Sequence, residues 1–379
     1  MIESDRGDDR RAVPFCSAYQ SCGGCRTQHV PAAMRIDRAL QRVRGALKRG
    51  QAGGLELALQ SPPPGAEKRS RVVLRVHGEG KALSSGLPAR EQGIVAMDSC
   101  PATSERAIAV AKATVAAARA HQVPGLCAIA VHASGDGERV LVTLVADSSR
   151  VAHAQDLGRA AQAAGATHIA VNQTESQKRV LGRRSVPIAG AFPFVEVISG
   201  MRLRVPPSSP FEPTHWSAAT LAADLVAVAG ELAERKALVL RAGNGLTALA
   251  LARAGATVAA IEDRPEIAHE AEGSGIDNGF GDAIAWSTEH HVEALAKLSG
   301  SRPDLVVVDA PNAGTDLARL AAIARLIAPP RIVLVARSTE ALSRDLAGLA
   351  DLGYRANAVR AHESDALSGD ATVLVALVR

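Results

Sequence analysis

Aromatic side chains are nearly missing from this sequence: five Phe, two Trp and two Tyr, 2% of 379 residues. Base-stacking platforms are therefore scarce, and any nucleic-acid contact should be mainly to phosphate. Tyr19, Phe211 and Trp216 are the few candidates, and each reads first as core. Long hydrophobic runs are missing too. No stretch reaches the ~20 apolar residues of a membrane span, and the first residues, MIESDRGDDRR, are charged where a secretory leader is apolar. The expectation is a soluble cytoplasmic protein with no membrane partner. Cysteine is scarce as well, and in such a compartment its five copies do not read as a disulfide framework.

What is present suits a folded chain, since an apolar fraction of 47% is far above that of disordered sequences. The net charge of +4 conceals an asymmetry. Residues 1–100 hold 16 of the 43 Lys and Arg but only 10 of the 39 Asp and Glu, so they carry +6 and the remainder −2. A basic end fits a phosphate-rich partner, although Arg-rich solvated helix faces give the same count.

Periodicity supplies the organisation. Residues 31–50, PAAMRIDRALQRVRGALKRG, place Met34, Leu40, Val43 and Leu47 at helical spacing with arginines opposite, an amphipathic basic helix. The runs RVVLRVHG, GIVAM, CAIAVHA and RVLVTLVA predict a largely antiparallel sheet with helices in the middle of the chain. VPPSSPFEP (205–213) is a Pro- and Ser-rich boundary. Beyond it KALVLRAG, ATVAAIED, PDLVVVDAP and RIVLVARS are continuous apolar runs separated by helical stretches, the pattern of a parallel sheet buried on both faces. The fold expected is α/β: a cysteine-bearing region with the basic helix over 1–110, a central α+β domain over 111–205, and a doubly wound, Rossmann-like domain over 206–379 with ligand sites at its strand ends.

Four cysteines carry the sharpest signal: Cys16, Cys22 and Cys25 in CSAYQSCGGCRTQH and Cys100 in MDSCPA. Thiolates so grouped want a metal, and the glycines of CGGC allow tight turns with free amides that donate to sulfur. On residue chemistry alone both an iron-sulfur cluster and tetrahedral zinc remain open. Cys127, in GLCAIAVHA, reads as a small core hydrophobe. His290 and His291 are adjacent on a helical stretch, point apart, and read as surface.

The cysteine spacing followed by Gln28 and His29 resembles the signature of the iron-sulfur RNA (uracil-5) methyltransferases, which act on ribosomal or transfer RNA. The likeness continues through PSSPFEPT (207–214), similar to that family's Ser-Phe-Phe-Gln-x-Asn, and LVLRAGNG (238–245), similar to its Asp-Leu-Tyr-Cys-Gly-x-Gly. AAIEDRPE, VVVDAPNAG and RIVLVARSTEALSRDL follow in family order. The resemblance implies a [4Fe-4S] cluster on Cys16, Cys22, Cys25 and Cys100. It implies S-adenosyl-L-methionine beside Glu212, Arg241, Gly243, Gly245, Glu262 and Asp309, and an RNA partner, ribosomal or transfer. The RNA-binding barrel that some members carry ahead of the cysteines has no room before Cys16, so the short form is expected.

The chemistry departs from that pattern. The family reaction uses a thiolate that adds to uracil C6 and a carboxylate that removes the C5 proton. The nucleophile position holds Arg337, in Ala336-Arg337-Ser338-Thr339, and the base position falls at about Thr372 in GDATVLVALVR. Arginine is always protonated and does not add to uracil. In the cofactor pocket the family acid is Val239, the aromatic is Arg241, the Gln is Glu212, and Asp-Pro-Pro-Arg is Asp309-Ala310-Pro311-Asn312. A cation ~5 Å from a sulfonium is repelled by roughly 3 kcal/mol at an effective dielectric near 20, unless Glu212 compensates. The reading is a family member that binds structured RNA with impaired catalysis; the alternative is an active methyltransferase with a non-standard nucleophile or a different target atom.

Overall fold

The computed structural model describes residues 12–78, 80–96, 99–174, 180–289, 293, 302–310 and 314–379. His290, His291, Pro311 and Asn312 lie outside them. Two sheets dominate. The larger has eight strands in the order Leu59–Gln60, Arg355–Asp365, Asp370–Val378, Arg331–Ala336, Leu305–Asp309, Lys236–Leu240, Thr257–Ile261 and Ile284–Ser287. The last five are parallel, Asp370–Val378 runs antiparallel between its neighbours, and Leu59–Gln60 adds a short parallel edge.

The continuous apolar runs follow from burial on both faces. Val239, Val258, Val307 and Val333 enter one core with the helices His215–Ala229 and Leu246–Arg253. Their strand neighbours Leu238, Leu240, Val306, Val308, Ile332 and Leu334 enter the opposite core with the helices Ala32–Arg49 and Thr339–Asp351. The basic helix thus belongs to the layers of this sheet. It buries Ala39, Val43, Ala46 and Leu47, and Gly50 ends it where a Cβ would lie 2.7 Å from that of Leu346.

The second sheet has seven strands in the order Ile94–Ala96, Ser84–Pro88, Arg71–His77, Leu126–Ala133, Val140–Ala146, His168–Gln173 and Arg184–Ala189. It is antiparallel as expected, apart from one parallel pair, Val140–Ala146 with His168–Gln173, joined through the helix Ala154–Ala163. Strands from both sides of residue 110 share it, through the pairing of Arg71–His77 with Leu126–Ala133. Cys127 corrects the expectation of a core residue. The register with Val140–Ala146 shifts between Leu126 and Ala128, so the bulge leaves Cys127 half-buried, while Leu126 and Ala128 stay buried.

Candidate functional site

The strand Lys236–Leu240 lies between Thr257–Ile261 on one side and Leu305–Asp309 on the other. A crevice opens at the carboxyl ends of strands where the connections diverge in this way. A cavity of about 1100 Å³ sits there, lined by residues that follow or end the strands: Arg241, Glu262, Asp309 and Arg337. Phe211 and Glu212 reach it from the segment before the helix His215–Ala229, whose first turn is fixed by a reciprocal Thr214–Ser217 capping box. Six of the sequence-derived positions therefore share one wall: Glu212, Arg241, Gly243, Glu262, Asp309 and Arg337.

The turn after Leu240 suits the approach of a small ligand. Gly243 has φ +56° and open space where a Cβ would stand, and Gly245, at φ +89°, heads the helix Leu246–Arg253. Arg241 adopts φ +62°, a backbone region unusual for a residue with a long side chain. The buried Glu262 carboxylate accepts from the Gly243 N–H at 2.9 Å through Oε2 and from Arg264 Nε at 2.9 Å through Oε1. Its remaining lone pairs are those a ribose hydroxyl would use, shared with the Arg264 guanidinium. Arg264 was not expected from the sequence; its position two residues after the acid carries no periodic signal.

Arg337 is held between two carboxylates. Nη2 donates to Glu212 Oε1 at 2.7 Å, and Nη1 donates to the Asp309 carboxylate and, at 3.5 Å, to the Ala310 carbonyl. Burial alone would lower the Arg337 pKa, but Asp309 and then Glu212 outweigh it and raise it above the ordinary value. Glu212 is therefore committed to Arg337 in this structure, and the sequence-based idea that it balances Arg241 is corrected. Thr372 is fully buried and does not line the cavity, whereas its neighbours Asp370 and Ala371 do. The Asp370 carboxylate is paired with Arg26 at 2.7 Å and accepts from Ser368 Oγ at 2.6 Å.

The basic helix forms the opposite rim. Arg35 is tied to the buried Glu363 at 2.9 Å, and Arg42 donates to the Gly369 carbonyl at 2.8 Å. Arg38 and Arg241 have no ion-pair partner among the described residues. With Arg42 they leave the cavity walls an excess of exposed positive charge, suited to an anionic ligand.

The cysteines form a second constellation. Cys22, Cys25 and Cys100 are buried in one core with Cys16 packed against it, and all four are free thiols. Each of three sulfurs has a donor: Gly24 N to Cys22 Sγ at 3.3 Å, Arg69 Nη1 to Cys25 Sγ at 3.7 Å, and Thr103 Oγ1 to Cys100 Sγ at 3.5 Å. Arg90 clamps the loop by donating to the carbonyls of Tyr19 and Cys22 at 3.2 Å and of Cys25 at 2.6 Å. The loop is also bound to the cavity wall: Arg69 pairs with Asp365 at 2.7 Å, and the amides of Arg26 and Thr27 donate to the Leu367 carbonyl.

Strand order, glycine turn and acid at the next strand end give the chain the Rossmann-like fold of the adenosylmethionine-dependent methyltransferases. No protein-family model matches it. It is 25% identical over 367 residues to an uncharacterized RNA methyltransferase of Clostridium tetani, covering 91% of this chain and 78% of that protein. A second, of Gloeobacter violaceus, is 26% identical over 372 residues, covering 93% and 80%. Among solved structures the tRNA (uracil-54, C5)-methyltransferase of Pyrococcus abyssi, in complex with S-adenosyl-L-homocysteine, superposes with a TM-score of 0.75 at 19% identity, covering 98% of this chain and 87% of that one. The chain is thus similar over most of its length to proteins described as RNA methyltransferases, and the solved structure shares its fold.

Proposed function

We propose that this chain is a member of the RNA (uracil-5) methyltransferase family that binds structured ribosomal or transfer RNA at the cavity rim and does not methylate uracil at C5. The observation that carries this reading is the Glu212–Arg337–Asp309 ion pair, which stands where the family places its nucleophile. A guanidinium bonded to two carboxylates offers no lone pair to uracil C6. Loss of one member of a catalytic unit removes on the order of six decades of rate, far more than any pocket adjustment. The family's base position has changed as well: buried Thr372 presents no carboxylate, and its neighbour Asp370 is paired with Arg26.

The cofactor site retains the parts that bind a nucleoside. Gly243 and Gly245 would let the backbone approach S-adenosyl-L-methionine and Glu262 would take its ribose hydroxyls, with Arg241 weakening affinity for the sulfonium. For the metal, a zinc tetrahedron needs sulfurs about 3.8 Å apart. Among the described residues, the His, Cys, Asp and Glu groups whose ligand atoms lie within 4.8 Å of one another contain no cysteine. The donors to three of the sulfurs, together with the resemblance of the cysteine spacing, are what support a [4Fe-4S] cluster on Cys16, Cys22, Cys25 and Cys100. Its role here is structural, fixing the loop against the turn at Leu367.

The deciding experiment is titration of anaerobically purified protein with S-adenosyl-L-methionine and, separately, with ribosomal and transfer RNA. RNA binding together with weak or no cofactor binding supports the reading. Tight cofactor binding with methyl transfer to another atom of the RNA would favour an active enzyme with a different target.

A further inference from the structure

Away from the cavity, three side chains from separate elements converge. His132 comes from the strand Leu126–Ala133 of the seven-stranded sheet, Glu196 from the short strand Val195–Ile198, and His215 from the first turn of the helix His215–Ala229. Glu196 Oε1 lies 2.9 Å from His132 Nε2 and 3.0 Å from His215 Nε2, and one ligand atom from each residue falls within 4.8 Å of the other two. We propose that His132, Glu196 and His215 form a binding site for a divalent cation of the zinc class, which neither the cysteine signature nor the methyltransferase fold supplies.

Four features carry the argument. His132 is 4% exposed, and its Nε2 lies 2.9 Å from Glu196 Oε1 without the alignment of a well-formed hydrogen bond, so this buried nitrogen is aimed at the carboxylate but poorly served by it. Two imidazoles and one carboxylate are a known zinc donor set, whereas calcium and magnesium take oxygen ligands. Metal–ligand bonds of about 2.1 Å in a tetrahedron separate donors by about 3.4 Å, so each imidazole nitrogen needs to move only about half an ångström from Glu196 Oε1. The second Glu196 oxygen is already oriented, accepting from the Gly135 N–H at 3.2 Å, as ligating carboxylates are.

The surroundings define the role. Glu196 is fully buried, but the His215 side chain is 28% exposed, which gives an ion a route from solvent and leaves a fourth position for water. Gly135 packs so closely that a Cβ there would meet the His215 ring at 2.9 Å. Phe194 and Phe211 flank His132 with ring centroids at 5.2 and 5.0 Å. Phe211 precedes Glu212, so an ion here would pin the seven-stranded sheet to the segment that holds the Arg337 partner. Arg71, buried nearby, adds positive charge that weakens affinity, while its Nη1 is engaged by the Ser209 carbonyl at 2.8 Å.

Because the four cysteines also bind soft metals, the probe is cobalt(II), whose thiolate complexes have intense near-ultraviolet charge-transfer bands that imidazole–carboxylate complexes lack. Full-length chelator-treated protein is expected to take up one cobalt equivalent that adds visible d–d bands without adding to the thiolate charge-transfer band of any cobalt on the cysteines. Zinc should displace it and raise the melting temperature. His215→Ala and Glu196→Gln should each weaken this equivalent at least tenfold and abolish the zinc-dependent rise, with cysteine-bound metal unchanged. Should one variant not fold, the other decides. Uptake only with thiolate bands, or a non-thiolate equivalent retained in either folded variant, would overturn the proposal.

Discussion

The cysteine loop and the Arg337 edge of the cavity touch each other, yet they are built in opposite ways. At the loop all four thiols gather at one core, and the groups around them serve sulfur: Gly24, Arg69 and Thr103 donate to three of the four, and Arg90 holds the backbone. At the edge Arg337 is paired with Glu212 and Asp309, and beside it the exposed Arg26 is paired with Asp370. A site that has merely drifted leaves buried charges unpaired, at a cost of several kcal/mol. Here Arg337 is paired with both Glu212 and Asp309, leaving only Glu212 Oε2 without a partner, and on the proposed function this makes the edge a structural element. On the proposed function, the contrast teaches that a cysteine loop and a nucleophile position on one scaffold are separable.

The largest expected effect lies on the loop side. Protein purified without oxygen should be brown and contain about four irons, and changing any one of Cys16, Cys22, Cys25 or Cys100 to Ala should lose the colour and most of the folded yield, because metal-binding energy is folding energy. Elemental analysis with absorption spectroscopy checks it. Stoichiometric zinc without colour would erase the contrast.

A smaller effect is expected at the edge. Arg337→Ala leaves the Glu212 and Asp309 carboxylates together without their cation, and should destabilise the fold by about 3 kcal/mol, the low end for buried pairs because the Arg337 side chain is 26% exposed. Urea denaturation reads this directly. A change under about 0.5 kcal/mol would show that the ion pair is ornamental. Arg337→Cys should restore no methylation, since no base lines the cavity at Thr372 and Arg241 remains.

The smallest effect concerns the rim. Arg38→Ala with Arg42→Ala should weaken binding to different structured RNAs by a similar factor and flatten the logarithmic salt slope by about two units, each phosphate contact contributing just under one. Filter binding across a salt series measures it. Salt-insensitive binding would remove the rim from the account.

Much of this was legible in the sequence. KALVL, TVAAI, LVVVD and RIVLVA are strands because their apolar runs are long enough to face two cores, and the basic helix runs from Ala32 to Arg49, close to the periodic segment. Pairings between distant positions were not legible. That helix packs on the C-terminal sheet rather than beside the cysteines, and Leu59–Gln60 extends that sheet's edge, because a helix pattern shows which face is apolar and not what covers it. Glu212 and Arg337 are 125 positions apart and carry no local signature of their ion pair. His132, Glu196 and His215 lie on three elements, and isolated histidines have no spacing to read. The bulge that turns Cys127 outward is a register event between strands, invisible in either strand alone.

Separation of RNA binding from uracil chemistry is tested most directly by nucleoside mass spectrometry. Anaerobically purified full-length protein is incubated with methyl-labelled S-adenosyl-L-methionine and unmodified ribosomal and transfer RNA, and the RNA is digested to nucleosides. The account predicts that labelled 5-methyluridine stays at the level of the protein-free control, while the same preparation binds the RNA in a salt-dependent manner. Labelled 5-methyluridine that rises with protein concentration would contradict it and require a nucleophile other than the residue at position 337.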